Sequence, residues 1–300
     1  MAKFIVSGLL NMETTCRVRS FPVNYYPIDY PFFGVDTTAS GVALNIAGAL
    51  TRLGDEVDLY SLIGCDLPGE LIARDLASRG ISADHVQRCL EKTPNSVVLY
   101  DEEGKRQIYC DLKNIQETAC DFDRKMIEAA DAVLVCNINF SRPLLHVAKN
   151  SGKLIATDLH VLSNPDDEYN REFLELADIA FLSDEGINGD CKDFLRALGC
   201  RYRCRRFVLG MGAKGAMIYQ RQGNRFLHRP ACSIGVTVNT GGAGDALFSS
   251  FMHFYLKNGD PDEALDRAQL FAALKIRTTG AASGFVTEEE LERFSQGNSV

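Results

Sequence analysis

The chain has 300 residues, 46% of them hydrophobic and 24% charged, with a formal net charge of −8. That length can bury a large core, and the acidic balance argues against a nucleic-acid footprint. No apolar run reaches the ~18 residues of a membrane span, and the ten cysteines, none in a C-x-x-C pair, read as buried reduced thiols of a cytoplasmic protein.

Met1–Val6 lacks the layout of a signal peptide and enters a strand directly, read as Lys3–Leu10. Between 14 and 37, Val18, Phe21, Val23, Tyr25, Tyr26, Ile28, Tyr30, Phe32 and Phe33 lie among Pro22, Pro27 and Pro31. That mixture suggests short edge strands and turns with an aromatic surface. Gly41–Leu53 is helical by spacing and stops at Gly54; Val57–Ile63 is a strand, and Pro68–Ser78 a helix ended by Gly80. Ser96–Tyr100 and Gln107–Asp111 flank Asp101-Glu102-Glu103-Gly104, a hairpin signal.

Strands and helices alternate from there. Ala132–Cys136 precedes a helix beginning at Ser141, a candidate cap with Pro143 behind it. Leu154–Ala156, Ile179–Leu182 and Phe207–Leu209 read as strands, with helices at Arg171–Leu176 and Cys191–Leu198. Ala216–Gln220 and Arg225–His228 form a second hairpin. A long helix follows to Asn258-Gly259, another starts at Pro261 after Asp260, and a capping box, Thr287-x-x-Glu290, opens the last. Repeated strand–helix units predict an α/β fold whose mainly parallel sheet is covered on both faces. Two β-rich insertions, about 12–38 and 95–112, interrupt the alternation and can pair into a small sheet over one end, a lid.

The chemistry gathers at Asn239-Thr240-Gly241-Gly242-Ala243-Gly244-Asp245. Apolar residues at 247, 248, 251, 252, 254 and 255 predict a helix buried on most of its surface, with its first turn near Gly242–Asp245. Free N–H groups and the positive dipole end meet there, and glycines on either side of Ala243 let an anion approach the backbone. Asp245 sets a carboxylate beside that anion site, although a plain N-cap also accounts for an aspartate here. No G-x-G-x-x-G follows the first strand, and Gly210-Met211-Gly212-Ala213-Lys214-Gly215 has the wrong order for a P-loop. The five histidines are scattered, with no metal-ligand cluster and no serine nucleophile elbow.

Three segments, Ser40–Gly54, Val208–Ala216 and Asn239–Asp245, occur in an order and at separations that resemble the ribokinase-like (PfkB) family of carbohydrate and nucleoside kinases. The resemblance covers essentially the whole chain and implies a three-layer αβα core with about nine strands, a β lid, and a single kinase domain over 1–300. It implies Asp245 as catalytic base and Gly242, Ala243 and Gly244 as the anion hole. Gly210, Gly212 and Gly215 fall on the loop along which ATP lies. Asn11, Glu13, Gly41, Asn45 and Asn139 fall where relatives contact the sugar.

Several positions depart from the family pattern. Asn239 replaces an aspartate that helps hold a monovalent cation, which makes a monovalent cation doubtful. Ser40 replaces the first glycine of a pair, and Glu13 a shorter aspartate. The Asn-x-x-Glu motif that orders magnesium should fall in Leu182–Gly186, where Asp184 and Glu185 stand at uneven spacing; the metal ligands are unknown. An alcohol needs a carboxylate base at neutral pH, and phosphoryl transfer otherwise needs positioning and positive electrostatics. The expected function is therefore ATP-dependent phosphorylation of a hydroxymethyl group on a small sugar, with Mg2+, in the cytoplasm, by a homodimer joined through its lids. A nucleoside kinase of the same family, or a catalytically weak sugar- or nucleotide-binding relative, are the alternatives.

Overall fold

A computed structural model describes residues 1–232 and 234–297. In chain order the first half contains β1 (Lys3–Ser7), β2 (Asn11–Arg17), β3 (Val35–Ser40), α1 (Val42–Arg52), β4 (Glu56–Gly64), α2 (Leu67–Ser78), β5 (Val86–Leu90), β6 (Asn95–Tyr100), β7 (Arg106–Asp111), α3 (Arg124–Ala129), β8 (Ala132–Cys136) and α4 (Arg142–Asn150). The second contains β9 (Leu154–Val161), α5 (Arg171–Leu176), β10 (Ile179–Ser183), α6 (Cys191–Arg201), β11 (Arg206–Gly210), β12 (Ala216–Gln220), β13 (Arg225–Arg229), α7 (Ala243–Asn258), α8 (Pro261–Lys275) and α9 (Glu288–Gly297).

Nine strands form the large sheet, in the order β13-β12-β11-β10-β9-β8-β1-β4-β5. From β5 to β11 every neighbouring pair is parallel, and the β12–β13 hairpin closes one edge antiparallel. Strands of such a sheet are apolar on both faces, and β1 illustrates why. Phe4 and Val6 join the core under α1, α2, α7 and α8, whereas Ile5 joins the core under α3, α4, α5 and α6. Because the strands are parallel, their C-terminal ends share one edge, where α/β folds bind ligands.

A separate four-stranded sheet has the order β3-β2-β6-β7, with β2 parallel to β6 and the outer pairs antiparallel. The two β-rich insertions therefore do pair. Residues 18–34, between β2 and β3, leave that sheet as a loop with Tyr25, Ile28, Tyr30 and Phe32 between 68% and 88% exposed. The chain passes between the two sheets through a narrow waist. Gly41 has φ 114° there, and a Cβ on it would lie 2.3 Å from the Leu9 carbonyl oxygen. That same oxygen accepts from the Ala43 amide at 3.2 Å. A further crossing is pinned by Asp66, whose carboxylate accepts from the Thr93 amide at 3.0 Å, and by the Met12 amide donating to the Pro94 carbonyl at 3.1 Å.

Some sequence expectations are corrected. β1 ends at Ser7 rather than Leu10, because residues 8–10 form the passage to β2. Ser141 stands at the N-cap position of α4, but its side chain makes no capping bond; its hydroxyl bonds that of Ser7 at 2.7 Å, and a single 3-10 turn leads into the helix. β5 and α3 have no clear mark in the sequence: β5 is Val-Gln-Arg-Cys-Leu, an edge strand without clean alternation. β9 runs on to Val161, since Thr157 and Asp158 are polar yet buried. All the cysteines are unpaired, but only Cys120, Cys136 and Cys204 are buried, so the expectation of buried thiols holds for a minority.

Candidate active site

Helix α7 begins at the C-terminal edge of the large sheet. Gly242, immediately before it, has φ 74°, and a Cβ there would sit 2.4 Å from the Ala281 carbonyl oxygen. Only glycine fits that left-handed, crowded position. A Cβ on Gly244 would meet nothing within 4 Å, so the helix start opens into free space on that side. The turn before it is held by the Asn239 side chain, which accepts from the Gly241 amide at 2.7 Å, and by the Ala243 amide donating to the Thr240 carbonyl at 3.2 Å. Of the three expected anion-hole residues, Ala243 thus has a long local bond.

Asp245 lies in the first turn and is 8% exposed. Its Oδ2 accepts from Asn45 Nδ2 at 2.6 Å, so α1 and α7 are joined at the site. Burial and the nearby Asp158 carboxylate push the Asp245 carboxyl up to about 6, against the pull of His160, Asn45 and Lys275. A carboxylate with that basicity, in the first turn of a helix, can take a proton from an alcohol.

The expected sugar-side residues divide into two groups. Asn11, Glu13, Gly41 and Asn45 come together where β2, β3 and α1 meet. Asn11 Nδ2 donates to the Ser96 hydroxyl at 2.8 Å, while the side-chain oxygens of Asn11 and Asn45 are buried without a protein partner. Two such orphaned acceptors suit ligand hydroxyl groups. Burial raises the Glu13 carboxyl above the usual range, opposed by Ser40, Arg106 and Lys275. Asn139 is engaged differently: its amide nitrogen reaches the Gln116 carbonyl at 3.4 Å, and its oxygen accepts from Arg142 Nε at 3.1 Å.

Gly210 ends β11, and Gly212 and Gly215 both have positive φ, 54° and 97°. A Cβ on Gly215 would meet the Arg229 carbonyl at 2.0 Å, while the Met211 amide donates to the Gly215 carbonyl at 2.8 Å. Asp184 follows β10 and pairs with Lys214 at 3.5 Å; Glu185 beside it is exposed. A cleft of about 760 Å³ separates the two sheets, lined by Phe21, Lys105, Arg106, Ile108, Glu185 and Thr240. That volume accommodates small-molecule ligands.

Three charged groups of the site went unread in the sequence. Asp158 and His160 sit 3.4 Å apart at the end of β9, beyond the Leu154–Ala156 stretch that the sequence marks as strand. Lys275 closes α8, where a basic residue is accounted for by the helix dipole alone.

The profile of pfkB family carbohydrate kinases matches residues 1–288. The chain belongs to that family. That family is one of carbohydrate kinases. Among curated relatives of this family, an ATP-dependent ribose-1-phosphate kinase of Halopiger xanaduensis is 27% identical over 291 residues, covering 94% of this chain and 95% of its own length. A solved structure of a microbiome-derived acarbose kinase superposes with a TM-score of 0.86 at 26% identity, covering 97% of this chain and 98% of that one. The ribokinase of Arabidopsis thaliana, solved with ribose and ATP, shares the fold at TM-score 0.82 and 19% identity, over 97% and 98% of the two chains.

Proposed function

We propose that this pfkB kinase transfers the γ-phosphoryl group of ATP to a hydroxymethyl group of a small sugar, with Asp245 as general base. The observation that carries the reading is the Asp245 carboxyl: buried, oriented by Asn45, raised to about 6, and placed in the first turn behind Gly242–Gly244. On this reading the sugar enters between the large and small sheets. Asn11, Glu13, Gly41 and Asn45 hold its hydroxyls, so that one hydroxymethyl faces Asp245. Asp245 takes the proton as the oxygen attacks phosphorus in line. The amides of Gly242, Ala243 and Gly244 hold the transferring group, Ala243 exchanging its long bond to Thr240 for the ligand. Gly210–Gly215 lies along the nucleotide.

Magnesium is expected with the nucleotide, since this ion keeps several waters and binds through phosphates plus one or two carboxylates. Glu185 fits that need, because it lines the cleft and is exposed, whereas Asp184 is held by Lys214. The small sheet would act as a lid that excludes water, and its aromatic loop as a dimer surface. A cytoplasmic location is part of the same reading; among the described residues no helix is long and apolar enough to cross a membrane.

Relatives act on ribose 1-phosphate, deoxyribose and ribose by name, and Lys105 and Arg106 bring positive charge to the cleft. The deciding experiment is ATP turnover with a panel of neutral pentoses and hexoses, sugar acids, sugar phosphates and nucleosides, with Asp245→Asn as control. Transfer to a nucleoside in preference to every sugar would replace the proposed acceptor class. ATP binding without transfer to any acceptor would favour a binding protein.

A further inference from the structure

Lys275 is the one lysine or arginine that is fully buried among the described residues. Its ammonium donates to the carbonyl of Gly241, in the loop leading into α7, and to that of Gly280 at 2.9 Å, in the loop leaving α8. The same loops are stitched by the amides of Val238 and Asn239, which both donate to the Ile276 carbonyl, at 2.8 and 3.1 Å. A buried charge is normally neutralised by an opposite charge in contact. Here the contacts are carbonyl dipoles, and the opposite charges that act on Lys275 are Asp245, in the first turn of α7, and Glu13, on β2. The ammonium therefore lies behind the helix start with its charge largely directed at the site. Carbonyl oxygens around one compact positive charge are also how proteins hold a small monovalent ion.

We propose that Lys275 is a built-in monovalent cation: its ammonium fastens the loop before α7 to the loop after α8 and supplies fixed positive charge behind Gly242–Gly244, where another chain would need a dissociable ion. The inference rests on reading Gly242–Asp245 as the transfer site. Asn239 fits it, since a neutral side chain at the start of this loop adds no negative charge that would call for a second cation beside Lys275. Lys275 touches neither acceptor nor nucleotide, so it is a positioning residue.

Burial lowers the Lys275 pKa to about 8, with Asp245 and Glu13 pulling the other way. Deprotonation above that pH removes the charge, so kcat/KM should decline on the alkaline side. Lys275→Arg, which keeps its charge, should retain part of the activity and move that decline to higher pH.

The test compares wild type, Lys275→Ala and Lys275→Arg in potassium, ammonium and tetramethylammonium chlorides at equal ionic strength, following phosphotransfer and thermal unfolding. Wild type should turn over and melt identically in all three salts. Lys275→Ala should lose at least ~10²-fold in kcat, the scale of one lost site donor. Potassium or ammonium should restore at least about tenfold of that loss and raise its melting temperature with concentration, as a ligand of the folded state does. Tetramethylammonium should do neither. Potassium stimulation of wild type would overturn the proposal, as would a Lys275→Ala protein indifferent to small cations in melting and turnover. The melting arm needs no turnover: cation-dependent melting of Lys275→Ala in a chain that transfers no phosphate would keep this site and reject the kinase reading.

Discussion

At the scale of single residues, the weight falls on Asp245. Its replacement by asparagine should lower kcat by at least ~10²-fold, a typical general-base contribution, while ATP binding, measured by calorimetry, persists. The pH dependence has a definite sign. A base works deprotonated, and the folded-state pKa of Asp245 is raised to about 6. Activity should therefore fall as pH drops through about 6, well above the ~4 of an ordinary aspartate. Asn45→Ala removes a donor that favours the charged carboxylate, so it should move this acidic limb of kcat/KM upward. An unmoved limb would mean that Asn45 only packs. Asp245 was legible because its meaning is local: glycines, a helix start and a carboxylate within four positions. Lys275, Asp158 and His160 were not, because each looks ordinary beside its own neighbours in sequence. Their charge matters only once α8 and β9 end next to α7.

Helix α7 shows the same division at the scale of an element. Its start and its stop at Gly259, with φ 74°, followed from glycines and apolar spacing, as did the Asp260 cap of α8 and the reciprocal bonds of Thr287 and Glu290. Edges were harder. β5 carries too little apolar pattern to announce itself, and the polar end of β9 is strand only because Thr157 and Asp158 are enclosed by neighbours. Two glycine substitutions separate fold from chemistry at the helix start. Gly242→Ala places a methyl against the Ala281 carbonyl in a left-handed conformation, so it should destabilise by roughly 1–3 kcal/mol and lose turnover. Gly244→Ala meets nothing within 4 Å and should gain roughly 0.5–1 kcal/mol of helix stability, yet still slow transfer by obstructing the approach of the phosphoryl group. Denaturant midpoints beside kcat would check both; a fully active Gly244→Ala enzyme would remove that residue from the anion hole.

For the whole molecule, the sequence pattern already implied a covered parallel sheet and a second small one, since the alternating units and the two β-rich insertions that interrupt them span the whole chain. The aromatic loop stands exposed in the single chain. Tyr25, Ile28, Tyr30 and Phe32 expose most of their surface together, and a symmetric partner presenting the same patch would cover them. The expected state is a homodimer joined through the small sheets. Tyr26→Lys combined with Phe32→Lys should yield monomers by light scattering and, if the small sheet is the proposed lid, raise KM for the sugar. A wild-type monomer, or an intact dimer in the folded double variant, would rule this interface out.

The waist at Gly41 and Thr93 has a further consequence, for the order in which the molecule comes apart. Few strands of chain connect the two sheets, and every residue of β7 is exposed. The small sheet can therefore open as a cooperative unit while β1, β8 and β9, buried on both faces, stay closed. Amide exchange should divide accordingly. Protons of β6 and β7 should be replaced together and early, by an opening less sensitive to denaturant than global unfolding because it exposes less surface, and those of β1 and β8 late, at the rate of global unfolding. Saturating sugar and nucleotide, by clamping both sides of the cleft, should draw the two classes of amide toward one another.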